Sequence, residues 1–279
     1  MNNRAARRAL RATPGHIILA ALAIIALFPI ALVLLNALKD APEVVRNPLA
    51  LPEKIDWANF LEAWTYGNFG RGFVNSILLS GTTIVTVLVT ATPAAFVLAA
   101  RKIKIAGGVM IYLMMAMTVP IQLFLFPLYA AFAQLGLLSN VFAVGVVIAA
   151  INMPLSVLLL RTFFLRIPAE LPEAAAMDGA NTGQVLRHIL MPAVSPGLIT
   201  VGIVVGLMAW NEYLISVTFL QDPGSYTATL GFLSLTGTFA VDQGVLMAGA
   251  ALLIIPIIAF FLIAQRKFVD GFVSGSVKG

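Results

Sequence analysis

The most informative segment of the chain runs from Pro172 to Pro196 and reads PEAAAMDGANTGQVLRHILMPAVSP. It is polar and carries the acids Glu173 and Asp178, whereas the sequence on either side of it is strongly apolar. An apolar chain has little reason to keep such a segment unless the segment meets water or a water-soluble partner. We therefore expect a polar loop that projects from an apolar helical body.

The composition of the whole chain indicates a membrane protein. Of 279 residues, 60% are hydrophobic and only 10% are charged, which is too few charges to cover a soluble domain of this length. The net charge of +5 does not predict nucleic-acid binding, because the 17 lysines and arginines are scattered between apolar runs instead of forming one basic face. The absence of cysteine excludes disulfides, thiol catalysis and cysteine-ligated metals.

Six apolar runs are long enough to cross a bilayer as helices, which takes about 20 residues each. Uninterrupted runs favour helices over barrel strands, which alternate and are shorter. The predicted spans are 17–35, 73–100, 107–128, 142–160, 198–220 and 245–264. The predicted fold class is therefore an all-α membrane protein, with an N-terminal tail at 1–16, a six-helix transmembrane domain at 17–264 and a C-terminal tail at 265–279.

The distribution of basic residues predicts that both termini are cytoplasmic. Thirteen lysines and arginines fall in the two tails, the 2–3 loop (Arg101, Lys102 and Lys104) and the 4–5 loop, and the remaining four fall in the 1–2 loop. Cytoplasmic segments carry such an excess of basic residues. We interpret the first span as an uncleaved anchor, because its apolar run exceeds that of a usual signal peptide and no clear cleavage site follows it.

Local signals predict two short helices within the 4–5 loop. Glu173 suits the first turn of a helix, where the helix dipole favours acids, and Gly179 is a natural stop. Asn181 or Thr182 can cap a second helix that Pro192 ends.

The outer surface of this loop has small side chains, which another protein could approach closely. They belong to Ala174, Ala175 and Ala176. Local physics leaves two interpretations of Glu173 and Asp178 equally open: they cap and solvate the loop, or they bind a partner.

Several polar or aromatic side chains inside the predicted spans are candidates for a solute path. They are Asn75, Gln122, Asn152, Trp210, Asn211 and Glu212. A charge at the bilayer centre costs about 3 kcal/mol, so Glu212 should face a cavity or a protein neighbour. A buried interhelical hydrogen bond or a partner-subunit contact explains Asn211 and Glu212 as well as a solute path does. Asn152 with nearby Pro154 marks either the path or a structural kink.

The loop resembles the EAA loop of ABC importer permeases. The matching residues are Glu173-Ala174-Ala175 and Asp178-Gly179-Ala180, followed by Ile189, Pro192 and Pro196. With Trp210-Asn211-Glu212-Tyr213 and the tail motif Phe268-Val269…Gly271…Gly275…Val277-Lys278-Gly279, the chain resembles the carbohydrate-uptake, maltose-type branch, in particular its shorter permease subunit. Met191 and Val273 depart from the leucine and threonine often found there, but neither change removes a charge.

The resemblance implies the ABC type I importer permease fold in a bacterial inner membrane. Segment 161–192 would be a coupling loop seated in a groove of an ATPase subunit, with the contact formed by Glu173, Ala174, Ala175, Asp178 and Gly179. The implied partners are a second, homologous permease chain, two ATP-binding subunits and an extracytoplasmic solute-binding protein. The 5–6 loop, 221–243, would face that binding protein, and its glycines would let it flex.

The sequence predicts no catalytic or metal site in this chain. It contains no G-x-x-x-x-G-K-[ST] phosphate-binding loop, so ATP and magnesium are expected on partner ATPase subunits. His16 and His188 lack carboxylates at metal-ligand spacing.

Two rival functions stay open. One is an ABC importer permease for a polyol, a glycerol-phosphate or a polyamine. The other is an ion-coupled secondary carrier, a class that often has paired intramembrane acids, whereas Glu212 stands alone.

Overall fold

The computed structural model of the chain describes residues 3–99, 104–168, 170–238 and 242–276. Within these residues the regular structure is helical throughout, without a strand, and the predicted all-α class is confirmed. Arg101 and Lys102 of the 2–3 loop, and Val277-Lys278-Gly279 of the tail motif, lie outside the described residues.

The helices follow one another closely along the chain. They are α1 (Asn3–Asn36), α2 (Ala41–Arg46), α3 (Ala58–Tyr66), α4 (Phe69–Ala99), α5 (Ala106–Ala116), α6 (Gln122–Gln134), α7 (Val141–Phe164), α8 (Glu170–Met177), α9 (Thr182–Val185), α10 (Met191–Ala193), α11 (Ser195–Trp210), α12 (Leu214–Phe219), α13 (Ala228–Thr238) and α14 (Gln243–Ser276). A π-helical turn at Leu186–Leu190 joins α9 to α10, and a 3₁₀ turn at Pro223–Ser225 follows α12.

Four of the described helices are long and apolar enough to cross a bilayer by themselves. They are Gly15–Asn36, Phe69–Ala99, Val141–Phe164 and Gln243–Ile263. A fifth candidate is a bent pair, Thr182–Ala193 with Ser195–Trp210, whose axes differ by 74°. The predicted fifth span, 198–220, is a broken helix that comprises most of α11 and all of α12.

The predicted third span is not one helix but two. Residues 117–121 separate α5 from α6, which are 11 and 13 residues long. Pro120 has no amide hydrogen and disfavours helical conformation in the residue before it. The amide and hydroxyl of Thr118 both donate to the Met115 carbonyl oxygen, at 3.0 and 2.8 Å, and close the end of α5.

The described contacts divide the chain into two compact units. The first comprises Met1–Phe69 and Phe232–Ile255, and the second comprises Gly70–Gly231 and Pro256–Gly279. In the first unit Lys39 is fully buried. Its ammonium group donates to Oδ1 of Asn36 at 3.1 Å and to the carbonyl oxygen of Asn47 at 2.8 Å. These bonds hold the start of the 1–2 loop to the end of α1.

The second unit has two apolar cores. One forms around α4, α7, α11 and the 4–5 loop, and includes Val87, Leu98, Val157, Leu160, Val194 and Val201. The other lies where α4, α6, α7 and α12 meet, and includes Leu79, Phe132, Val144, Ile148 and Phe219. The Thr83 hydroxyl donates to the Gly145 carbonyl oxygen at 3.0 Å and ties α4 to α7.

The segment 221–243, expected to be a flexible glycine-rich loop, is partly helical. Helix α13 occupies its middle, and Gly231 is buried in that helix. Gly224 is closely surrounded, since a Cβ there would lie 2.8 Å from the Asp222 carboxylate and 3.2 Å from the Arg71 guanidinium group. The segment is therefore not a continuous loop, and its flexibility stays a prediction.

Candidate functional site

The first helix of the 4–5 loop is α8, and Glu173 lies exposed in its first turn. The helix ends in a Schellman turn, in which the Ala180 amide donates to the Ala175 carbonyl oxygen at 3.0 Å and the Gly179 amide to that of Ala176 at 3.1 Å. Gly179 has a φ of +83°, a left-handed conformation that other residues rarely adopt. The left-handed backbone conformation of Gly179 therefore explains why the predicted turn lies at this residue.

The second helical segment of the loop begins with a capping box. Asn181 Oδ1 accepts from the Gln184 amide at 2.9 Å, and Gln184 Oε1 accepts from the Asn181 amide at 2.8 Å. The predicted end at Pro192 agrees to within one residue with the structure, in which the helical run Thr182–Ala193 ends at Ala193. The run continues through the π turn and α10, and then bends by 74° into α11. Pro192 lies in the first turn of α10, where a missing amide hydrogen matters little.

The two faces of the loop differ sharply in exposure. The inward face consists of Ala175, Val185 and Leu190, which are 9%, 5% and 3% exposed. On the outward face, Glu173, Ala174 and Asp178 are exposed, and Met177 is 88% exposed. The expectation that all three alanines form an open surface is wrong for Ala175, because the helical repeat turns it into the core.

The inward face of the loop packs on the ends of two long helices. Its apolar core also contains Leu98 from α4 and Leu160 and Phe164 from α7. Arg161 Nε donates to the Leu98 carbonyl oxygen at 2.9 Å, which ties α7 to the last described turn of α4. The loop and the ends of α4 and α7 therefore share one packed core.

Glu212 lies at the break between α11 and α12. Its carboxylate accepts from the amides of Ile215 and Ser216 at 2.6 and 2.8 Å, and from the Ser216 hydroxyl at 2.9 Å. Because α12 begins at Leu214, these are first-turn amides without helical partners. Glu212 therefore caps α12, which is a contact within its own segment rather than a bond to another span.

The two residues before Glu212, Trp210 and Asn211, contact different parts of the protein. The side chain and the backbone amide of Asn211 both donate to the Leu207 carbonyl oxygen, at 2.8 and 3.1 Å, and close α11. Trp210 stacks on Phe73 with the ring centroids 6.1 Å apart and lines an apolar cavity of about 290 Å³. Adjacency in sequence does not bring these three side chains to one site.

Asn152 lines a different cavity, of about 750 Å³, between α5, α6, α7 and α11. Its Nδ2 donates to the Ile148 carbonyl oxygen at 2.9 Å. Pro154 also lines the cavity and lacks the amide hydrogen that would bond the carbonyl of Ala150, another lining residue. The cavity therefore combines a mostly apolar wall with a few hydrogen-bonding groups. Gln122 is exposed at the start of α6, beside the lining residue Ile121.

Asn75 is buried, and its side chain binds backbone carbonyl groups of another segment. Its Nδ2 donates to the carbonyl oxygens of Gly224 and Tyr226 at 3.1 and 2.8 Å, which ties α4 to the segment after α12. It also borders an open polar groove of about 450 Å³, together with Arg71 and Asp222. The structure thus places the predicted path residues at several sites and does not unite them.

Sequence reasoning missed Met177 as part of the outward face. The signal was available, because residues three and four apart share one face of a helix. That spacing places Met177 beside Glu173 and Ala174.

The chain belongs to the family of binding-protein-dependent transport system inner membrane components, whose model matches residues 88–272. It is thus a transport component of an inner membrane.

Relatives and a solved structure agree with this membership. The chain is 32% identical over 252 residues to a probable ABC transporter permease of Bacillus subtilis, covering 90% of this chain and 84% of the relative. It is 32% identical to the melibiose/raffinose/stachyose import permease of that species, covering 82% and 83%. It is 30% identical to the trehalose transport permease of Mycobacterium tuberculosis, covering 91% and 93%. A bacterial ABC transporter for alginate import shares the fold, with a TM-score of 0.76, 23% identity and coverage of 96% and 99%.

Proposed function

We propose that this chain is the permease subunit of an ATP-driven, binding-protein-dependent importer and forms half of the translocation path for a carbohydrate. The family membership supports the transport role. The carbohydrate assignment is supported by relatives whose names specify melibiose, raffinose and stachyose, or trehalose. A sugar presents hydroxyls and flat C–H patches, which suit a cavity with a few polar groups and a large apolar wall.

The complete importer contains a second homologous permease chain, two ATP-binding subunits and an extracytoplasmic solute-binding protein. ATP and magnesium bind the ATP-binding subunits, and this chain carries no cofactor. Both termini lie in the cytoplasm of a bacterial cell. Residues 1–16 and 265–279 form cytoplasmic tails, and residues 17–264 form the transmembrane domain.

The observation that carries this proposal is the two-faced loop between α7 and α11. Its outward face offers an acid and an exposed methionine, Glu173 and Met177, to a partner in water. Its inward face is packed into the core of the second unit. A loop with only a capping role would need no exposed methionine on its outward face, so we assign the contact with the ATPase to Glu173, Ala174, Met177 and Asp178, with Gly179 fixing the turn.

The packing of the loop explains how an ATPase could drive transport. When two ATPase subunits close on ATP, they shift the loop, and the shift moves the ends of α4 and α7. An outward-facing cavity then accepts the solute, and hydrolysis returns the loop and opens the cavity inward. The helical bundle is the two-state element that ATP biases. Among the predicted path residues, Asn152 is best placed for solute contact, since it lines the cavity of about 750 Å³.

The decisive variant is Glu173→Lys, which reverses the charge of the outward face. The matched control is Glu170→Lys, because Glu170 is also exposed in the first turn of α8 and loses the same helix-dipole interaction. We expect both variants to insert in the membrane. Only Glu173→Lys should lose ATP-dependent uptake and co-purification of the ATPase. Unchanged uptake in Glu173→Lys would refute the coupling role.

The topology has an independent test. Because the chain has no cysteine, Met177→Cys introduces a single thiol on the outward face of the loop. In cells that lack the ATPase subunits, so that nothing covers this contact, a membrane-impermeant maleimide should label it in inverted vesicles and not in intact spheroplasts. Labelling in spheroplasts would place the loop outside the cell and overturn the proposal.

A further inference from the structure

A second cavity, away from the loop and from Asn152, lies between α4, α11 and α14 in the second unit. Its volume is about 290 Å³. It is lined by Ile77, Ser80, Ile84, Gly206, Leu207, Trp210, Pro256, Ile257 and Phe260. Except for the hydroxyl of Ser80 and the indole nitrogen of Trp210, the lining side chains are aliphatic or aromatic hydrocarbon. Such a wall does not suit a sugar, because each buried hydroxyl without a partner costs about 2–7 kcal/mol.

The Ser80 hydroxyl is the unusual group of this cavity. Ser80 is 8% exposed. Among the buried side chains that the structure describes, its hydroxyl is one of two without a hydrogen-bond partner. Its neighbours Thr82 and Thr83 donate to the carbonyl four residues earlier, at 2.7 and 2.9 Å. The Ser80 hydroxyl does not form the corresponding hydrogen bond to the α4 carbonyl oxygen four residues earlier.

We propose that this cavity binds an uncharged alkyl-chain ligand from the bilayer, whose single hydrogen-bonding oxygen pairs with the Ser80 hydroxyl. Water is a poor occupant, because a buried water needs two to four polar partners. An apolar cavity of about 150 Å³ accepts benzene, and this cavity is roughly twice as large. An occupied cavity regains the dispersion contacts that an empty one loses.

The entrance of the cavity agrees with a ligand that arrives from lipid. Ile77 of α4 and Phe260 of α14 line it and are 61% and 43% exposed. Both belong to helices that are apolar and long enough to cross a bilayer. In a spanning chain, this opening faces the hydrocarbon region, where alkyl chains are the surrounding medium.

The test uses the importer complex purified in nanodiscs and two photoreactive probes, a diazirine derivative of octanol and the matching diazirine octane. Both should label residues of the cavity wall. Ser80→Ala should lower labelling by the alcohol about fivefold, the effect of a hydrogen bond worth about 1 kcal/mol at 1.4 kcal/mol per tenfold change. It should leave labelling by the alkane unchanged. Ser80→Leu, which fills the cavity, should abolish both.

Three results would overturn the proposal. Equal labelling of wild type and Ser80→Ala by the alcohol would remove the role of the hydroxyl. No labelling of wild type by either probe would remove the site. Cross-linking of Ile77→Cys to a thiol of the second permease chain, without probe labelling, would show that a protein side chain fills the cavity.

Mass spectrometry of the complex extracted with its native membrane identifies the source of the ligand. Retention of an uncharged lipid by wild type and its loss in Ser80→Leu supports the bilayer. Occupancy by added octanol alone would overturn the bilayer source. These measurements do not depend on transport, so their failure is distinguishable from failure of the proposed function.

Discussion

Two of the junctions at which one helix stops and another starts are built differently. The first lies at residues 178–181 and is called the outer junction. There Gly179 makes the turn that follows α8, and Asn181 caps the next helix. The second lies at residues 211–213 and is called the inner junction. There Asn211 closes the end of α11, and Glu212 caps the start of α12. The outer junction uses a glycine and neutral side chains, whereas the inner junction uses a carboxylate.

The difference follows from the surroundings of the two junctions. At the outer junction Asp178, Gly179 and Asn181 are exposed, so water can pair the backbone groups that the turn leaves free there. The inner junction interrupts a predicted span, where each unpaired backbone group costs several kcal/mol. A charged acceptor forms stronger hydrogen bonds than a neutral one, and Glu212 pairs two amides and a hydroxyl at once. A charged side chain within a span can therefore have a purely structural role, which is to pair backbone amides at a helix break.

The largest expected effect is that of Glu212→Leu, which leaves the amides of Ile215 and Ser216 unpaired. We expect the free energy of unfolding to fall by about 3 kcal/mol, measured by denaturant unfolding of the purified complex in bicelles. Glu212→Gln keeps one acceptor oxygen and should lose less. Equal stability of Glu212→Leu and wild type would show that the inner junction does not need its cap.

The next largest effect should come from Ala175→Leu on the inward face of the loop. Ala175 is 9% exposed in a packed core, so the larger side chain should destabilise the chain by about 2 kcal/mol. Ala174→Leu is the matched control on the outward face. It should leave thermal stability unchanged and reduce the ATPase recovered with the complex. A reversed pattern would contradict the assignment of the two faces.

A smaller effect is expected for Gly179→Ala at the outer junction. No atom lies within 4 Å of a Cβ at this position, so the change tests backbone conformation alone. The left-handed φ of +83° should cost alanine about 1.5 kcal/mol, measured as the loss of unfolding free energy. Gly179→Asn should lose less, since asparagine tolerates this conformation better. If alanine and asparagine are equally tolerated, backbone strain does not define the turn.

The smallest effect should come from Asn181→Ala, which removes one half of the capping box. The expected loss is about 1 kcal/mol of helix stability, because the Gln184 amide loses its acceptor. Faster hydrogen exchange of that amide would report the loss directly. Thr182→Ala, at the next exposed position, serves as the control and should leave the exchange unchanged. Unaltered exchange in Asn181→Ala would exclude the box as a stabilising element.

Sequence reasoning succeeds where a structure depends on neighbours in the chain. The stop at Gly179 and the cap at Asn181 follow from residues within four positions, because a helix end is a local backbone event. The end predicted at Pro192 lies one residue before the observed end of the run at Ala193.

The sequence alone determined the membrane class, four of the helical spans and the acidic, alanine-rich loop, since apolar run length and helix propensity are properties of contiguous residues. Tertiary structure decided that Ala175 faces the core, that Asn152 and Trp210 line separate cavities, and that the Ser80 hydroxyl bonds to none of the described residues. These facts depend on which helices pack side by side, and contacts between residues distant in the chain leave no pattern in a single sequence.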